Sequence, residues 1–179
     1  MNDAPTALRV VTVTVSDTRT EADDEGGKTL RTGLESAGFS VVRHAILRDE
    51  PNEIQALIDE VTTTQSADAI VLTGGTGISP RDRTYEAVSA KLDLTLDGFG
   101  EAFRRLSWDQ IGPRSILSRA TAGVARGVVV ISLPGSVKAV ELAVRELITP
   151  TLAHAVALVR GDTRHHHHDH PSHTGRTKS

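Results

Sequence analysis

Three short runs carry the side chains best suited to chemistry: Ser16-Asp17-Thr18-Arg19, the stretch TGGTGISPRD from Thr73 to Asp82, and Pro134-Gly135-Ser136. In the second, Gly74, Gly75 and Gly77 permit positive φ and close backbone approach, while Thr73, Thr76 and Ser79 add hydroxyl donors. That chemistry suits a phosphate or another oxyanion; tight-turn formation alone would also account for the glycines. The run is not a Walker A loop, since no lysine followed by Ser/Thr comes after its last glycine, and it is not GxGxxG opening directly into a helix. Asp82 stands between Arg81 and Arg83. Cations held that close would keep its carboxylate ionised and available to Mg²⁺ or a polarised water. Capping of a helix that begins near Thr84 competes with that role. Asp49 precedes Pro51 and has the same two readings. Ser136 can offer its hydroxyl and helix N-terminal amides to an anion, or serve as a plain N-cap.

The remaining candidates are weaker. His44 and His154 lie in apolar surroundings with no catalytic partner near in sequence, and are read as structural. Arg114 and Arg119 could bind phosphate or pair with acids across a subunit contact, with solvated surface arginines as the default.

These residues need a frame that gathers them. Leu8 to Val15 (LRVVTVTV) reads as a β-strand ending in the Ser16 run. Acidic residues and a Gly26-Gly27 pair follow and look like a mobile loop, before a helix from about Lys28 to Ala37 that stops at Gly38. Phe39 to Leu47 is a second strand running into Arg48-Asp49. After Pro51, Ile54, Leu57, Ile58 and Val61 form one helical face. Ala69 to Leu72 is a strand without alternation, as expected when both faces are covered. Thr84 caps a helix with Tyr85, Val88 and Ala90, and Gly98 to Asp109 is a helix burying Phe99, Phe103 and Leu106. Ile111 to Gly123 reads as loop and short helix. Gly127 to Leu133 is another doubly buried strand, followed by a helix from Val137 that Pro150 should end or kink. Strands alternating with helices predict a three-layer α/β/α fold with a mostly parallel central sheet. Ligands of such sheets bind beyond the carboxyl ends of the strands, where all three runs lie.

Composition limits the choices further. Of 179 residues, 38% are hydrophobic and 24% charged, enough for one sizeable core. The net charge of -3 gives no general attraction to nucleic acid or an anionic membrane, so any phosphate site must be local. With no cysteine, disulfides, thiolate zinc sites and cysteine nucleophiles are excluded. The N-terminal residues lack a secretory pattern, and the expected setting is cytoplasmic. One domain is expected over residues 8–161, with a flexible N-terminus at 1–7 and a disordered tail at 162–179. The tail holds six of the eight histidines and could bind Zn²⁺, Ni²⁺ or Co²⁺ loosely.

The runs SDTRT, LTGGTGISPRD, DGFGEAFRRLSWDQIGPRSILSRATAG and SLPGS, in this order, resemble the MoaB/MogA family of molybdenum cofactor biosynthesis proteins over nearly all of Leu8 to Val159, with Ile78-Ser79-Pro80 and SLPGS closer to the MoaB branch. The resemblance implies a molybdopterin-binding fold assembled as a homotrimer or homohexamer, with other cofactor-synthesis proteins as partners. It also implies adenylyl transfer from Mg-ATP to molybdopterin with release of pyrophosphate. Asp49 and Asp82 would then serve Mg²⁺ binding and catalysis. The loop Gly74-Gly75-Thr76-Gly77 would hold phosphate or pterin, Ser16 and Asp17 would line the same pocket, and Ser136 would touch the ligand. A non-catalytic molybdopterin-binding or scaffold protein is the alternative, and a nucleotide-binding domain of another pathway explains only the glycine loop.

Overall fold

The computed structural model describes residues 7–162; the expectations for the extreme N-terminus and the histidine-rich tail lie outside the described residues. The chain order is β1 (Arg9–Val15), α1 (Glu25–Ser36), β2 (Ser40–Leu47), α2 (Pro51–Thr64), β3 (Ala69–Thr73), α3 (Thr84–Ser89), β4 (Leu94–Thr95) and α4 (Asp97–Ile111). A 3₁₀ segment (Gly112–Leu117), β5 (Thr121–Ala125), β6 (Val128–Leu133), α5 (Val137–Ala143), a π segment (Val144–Ile148) and α6 (Thr149–Val159) complete it.

The six strands form one sheet in the order β2-β1-β3-β6-β5-β4. β2, β1, β3 and β6 run parallel to one another, whereas β5 runs antiparallel to both β6 and β4. Period-two alternation sorts the strand side chains between two cores. Val10, Val71, Val129 and Ile131 face α1, α4 and the C-terminal helices, where Leu30, Leu34, Phe103, Val140, Ile148 and Leu152 cover them. Val11, Val13, Ile70, Leu72 and Val130 face α2 and α3. The α2 stripe Ile54, Leu57, Ile58 and Val61 is buried there, each side chain contributing about 1.5–3 kcal/mol by leaving water. This is the expected three-layer α/β/α arrangement.

Three local expectations need correction. Gly26 and Gly27 are not in a mobile loop; they form the buried first turn of α1, capped by Asp24, whose carboxylate accepts from the Gly27 amide. The region ending at Gly123 includes β5, and the two-residue β4 precedes α4. TAGVA carries little β-branched character, and its pairing with β6 fixes it as a strand. Pro150 does not end the C-terminal helix, which continues from Val137 to Val159. The ladder widens to i→i+5 over Val144–Ile148 just before the proline, relaxing the register in which its missing N–H would matter. That helix is apolar enough by length and composition to cross a membrane. Here Val140, Val144, Ile148, Leu152 and Val156 bury its stripe against the sheet.

Candidate functional site

From β1 the chain crosses to β2 on one side and then returns to β3 on the other, so the strand order reverses at β1. A crevice opens at such a switch point beyond the carboxyl ends of the strands. The Ser16 run follows β1, the glycine loop follows β3, and Pro134-Gly135-Ser136 follows β6, which pairs with β3. All three runs therefore meet at one end of the sheet.

Backbone packs directly against backbone there. A Cβ on Gly74 (φ +110°) would lie 2.1 Å from the Val15 carbonyl oxygen, and one on Gly135 would lie 3.3 Å from the Gly74 Cα. A Cβ on Gly26 would come within 3.0 Å of the Gly135 oxygen. The Gly74 amide donates to the Leu133 carbonyl (2.9 Å), and the Thr73 hydroxyl donates to the Pro134 carbonyl (3.1 Å), so Thr73 joins the two loops. Thr76 is buried within the loop.

Asp49 comes from the end of β2 and occupies the side of the loop nearer α2 and α3. It is only 6% exposed. Its Oδ1 accepts from the Arg83 amide (3.1 Å) and the Thr84 hydroxyl (3.2 Å). The start of α3 is thus held by a carboxylate from another strand end, and Thr84 is the first residue inside the helix, not its cap. The other oxygen, Oδ2, would lie 2.2 Å from a Cβ on Gly75 (φ +61°), so only glycine leaves that face open. Burial pushes the Asp49 carboxyl above its ordinary range; Asp82 and Asp17 add to the rise, against the stabilising bonds from Arg83 and Thr84.

Asp82 folds onto its own loop. Its Oδ2 accepts from the Ser79 amide (2.7 Å) and faces Gly77, where a Cβ would come within 2.7 Å. The Ser79 hydroxyl in turn accepts from the Arg81 amide (3.4 Å). Arg81 turns away from Asp82 and pairs with Asp17 (2.8 Å) and Glu50 (3.1 Å), joining the loops after β1 and β3 to the start of α2. That hydrogen bond is the main cause holding the Asp17 carboxyl below its ordinary value. Asp17 also accepts from the Asp49 amide (3.2 Å). Ser16 Oγ accepts from the Thr18 and Arg19 amides, shaping its own turn. Ser136 caps α5, accepting from the Ala139 amide (3.3 Å).

Arg119 is the clip that holds the glycine loop. Its Nε donates to the Gly77 carbonyl (2.7 Å), its Nη2 to the Asp82 carbonyl (2.7 Å), and its Nη1 pairs with Glu86. The guanidinium also lies 5.2 Å from the Tyr85 ring centroid. Arg119, by default a solvated surface arginine in the sequence, instead pairs with Glu86 of its own chain, a contact that sequence spacing could not show. Asp24 was also missed. Its Oδ2 accepts from Thr14 Oγ1 (2.7 Å) and lies 3.1 Å from His44 Nε2, while His44 Nδ1 is 2.9 Å from Thr12 Oγ1. An aspartate three residues before Gly27 at a helix start was the available signal. His44 is hydrogen-bonded, as expected of a satisfied histidine, but its partners are the polar Thr12 and Asp24 and not the apolar surroundings read from the sequence.

Among the described residues no group of three or more His, Cys, Asp or Glu could hold a metal ion by itself. Mg²⁺ does not require one, because it binds through one or two carboxylates plus substrate phosphates and waters. Asp49 Oδ2 and Asp82 Oδ1 are hard oxygen donors on which no hydrogen bond ends among the described residues, so the donor set fits.

Fold and site define a class: an α/β protein with a glycine-lined crevice at the switch point of a mostly parallel sheet. A family described as "Probable molybdopterin binding domain" matches residues 11–154. The chain is 44% identical over 161 residues to molybdenum cofactor biosynthesis protein B of Bacillus subtilis (strain 168), covering 89% of this chain and 95% of that one. A crystal structure of a molybdenum cofactor biosynthesis protein B superposes with a TM-score of 0.85 at 42% identity, covering 89% and 99% of the two chains. The tungsten cofactor synthesizing protein MoaB from Pyrococcus furiosus gives 0.79 at 37% identity, covering 88% and 99%. The chain belongs to the MoaB/MogA family of molybdopterin-binding-domain proteins.

Proposed function

We propose that this protein acts in molybdenum cofactor biosynthesis in the cytoplasm, binding molybdopterin and adenylylating it with Mg-ATP. The observation carrying this reading is the meeting of the bare-backbone loop Gly74–Gly77 with Asp49 and Asp82 at the switch point. An oxygen of the molybdopterin terminal phosphate attacks the α-phosphorus of ATP; the bond to the oxygen bridging towards the β-phosphorus breaks, and pyrophosphate leaves. Such a transfer needs positioning and charge stabilisation more than covalent chemistry from the protein. The glycine loop and the α5 N-terminus beside Ser136 supply oriented amides. Arg81 can exchange its exposed acidic partners for phosphate oxygens. Asp49 and Asp82 would hold Mg²⁺, which offsets phosphate charge when bound. Ser16 and Asp17 shape the opposite wall.

A second reading, molybdopterin binding without turnover, is favoured by one observation: the Asp82 carboxylate is already engaged by its own loop. Incubation of the chain with molybdopterin, ATP and Mg²⁺ separates the two. Stoichiometric pyrophosphate release supports the transferase; molybdopterin binding with no release supports the scaffold. Assembly as a trimer or hexamer belongs to the same proposal, supported by exposed Trp108, Ile111, Ile116 and Leu117 along α4 and the following segment. Mass measurement in solution tests it.

A further inference from the structure

Under the crevice lies a nearly buried ionisable pair, Asp24 and His44, that the phosphate chemistry above leaves unused. Asp24 is 4% exposed; its Oδ1 accepts from the Gly27 amide (2.9 Å) and its Oδ2 from Thr14 Oγ1 (2.7 Å). His44 Nε2 stands 3.1 Å from the same Oδ2. A Cβ on Gly27 would lie 2.0 Å from that oxygen, so the first turn of α1 rests directly on the carboxylate. This turn carries Gly26 against the Gly135 carbonyl, and Thr14 stands beside Thr73 in the sheet. The pair therefore lies just below the backbone on which an anion would sit.

Contact with a carboxylate makes Nε2 a donor. The state of Nδ1 follows Thr12 Oγ1, which is 2.9 Å from it and 3.4 Å from the Arg43 carbonyl oxygen. When the Thr12 hydroxyl donates to Nδ1, the ring is neutral. When it turns to the Arg43 carbonyl, Nδ1–H can donate to it and the ring is a cation. Either arrangement leaves these atoms bonded, so a proton enters through rotation of one hydroxyl. With a neutral ring, the Asp24 carboxylate is a buried negative charge under the anion site; with a cationic ring the two cancel. From β1 the facing side chains are the uncharged Thr12 and Thr14. Along α1, Lys28 and Arg31 follow Asp24 by four and seven residues on one helical face. Arg43, the charged neighbour on β2, pairs with Glu60 of α2 on the other face of the sheet (2.8 Å).

We propose that His44 is a proton-linked positioning residue: its cationic ring cancels the Asp24 charge beneath the floor, and phosphate at the glycine loop binds more tightly in that state. The proposal rests on the reading that this loop receives phosphate. Dissociation constants for Mg-ATP are measured at about pH 5.5 and 8, spanning the range in which histidine changes charge, on the full chain, His44→Gln and His44→Lys. Glutamine keeps a donor for Asp24 without the charge, and lysine keeps the charge at both values. Titration of the nucleotide, of Asp49 and of the other histidines is common to all three and cancels in their ratios. Relative to His44→Gln, the native chain binds about three- to tenfold more tightly at the lower pH and equally at the higher, while His44→Lys holds the advantage at both. By reciprocity, the titration midpoint of the native His44 ring, followed by NMR, rises by about half to one pH unit when Mg-ATP saturates the site. A role confined to folding would change the melting temperature but neither the pH dependence of the ratio nor the ring's response to ligand. An unmoved midpoint, or a ratio independent of pH, overturns the proton link and leaves the phosphate site standing. Absence of Mg-ATP binding to the native chain at both pH values overturns both readings.

Discussion

Asp49 sits between opposed influences. Burial and the neighbouring Asp17 and Asp82 favour its protonated form, while the Arg83 amide and Thr84 hydroxyl favour the anion, and the net effect is a raised carboxyl. A value raised on folding contributes stability that is fully present below the unfolded pKa of about 3.9 and is lost as pH rises through the folded value. Asp17, lowered chiefly by Arg81, has the opposite sign: its contribution is present above about pH 3.9 and is lost as pH falls through its depressed value. Asp49→Asn keeps an acceptor for Arg83 and removes the buried charge. Its denaturation midpoint at neutral pH should equal or exceed the native one, with the Asp49 pH dependence gone, as denaturant titrations across about pH 3–7 would show. Asp82→Asn likewise retains an oxygen for the Ser79 amide. Its circular dichroism should be native while pyrophosphate release falls on the order of 100-fold; undiminished release would remove Asp82 from the chemistry.

At the scale of elements, the glycine loop depends on a residue far along the chain. Arg119→Ala leaves the Gly77 and Asp82 carbonyls without their charged donor and should cost about 2–3 kcal/mol in urea unfolding. Arg119→Lys should not restore it, since an ammonium cannot reach three acceptors in the plane of a guanidinium. These long-range ties mark the limit of what the sequence made legible. The strand ends were readable because apolar β-branched runs stop at Ser16, Thr73 and Pro134, and placing those ends at the crevice follows from the topology of a parallel sheet. Asp49 acting on Thr84 and Arg81 turning to Asp17 were not readable, because neither contact has a local pattern. TAGVA was missed as a strand for a related reason: its pairing with β6, not its composition, holds it extended.

Across the whole molecule, the buried chain Thr12-His44-Asp24-Thr14 ties β1, β2 and the start of α1 into one unit beneath the site. Asp24→Ala would leave the Thr14 hydroxyl and the Gly27 amide without their acceptor and break the tie to His44. A loss of roughly 2–4 kcal/mol is expected, seen as a melting temperature lower by roughly 6–12 °C. The contact of Gly26, Gly74 and Gly135 has a different consequence. Where these three segments touch, the lining is peptide groups alone, and no exchange of side chains can recolour it. Any discrimination between ligands at this base must then come from side chains at its margin, such as Arg81, rather than from the base itself.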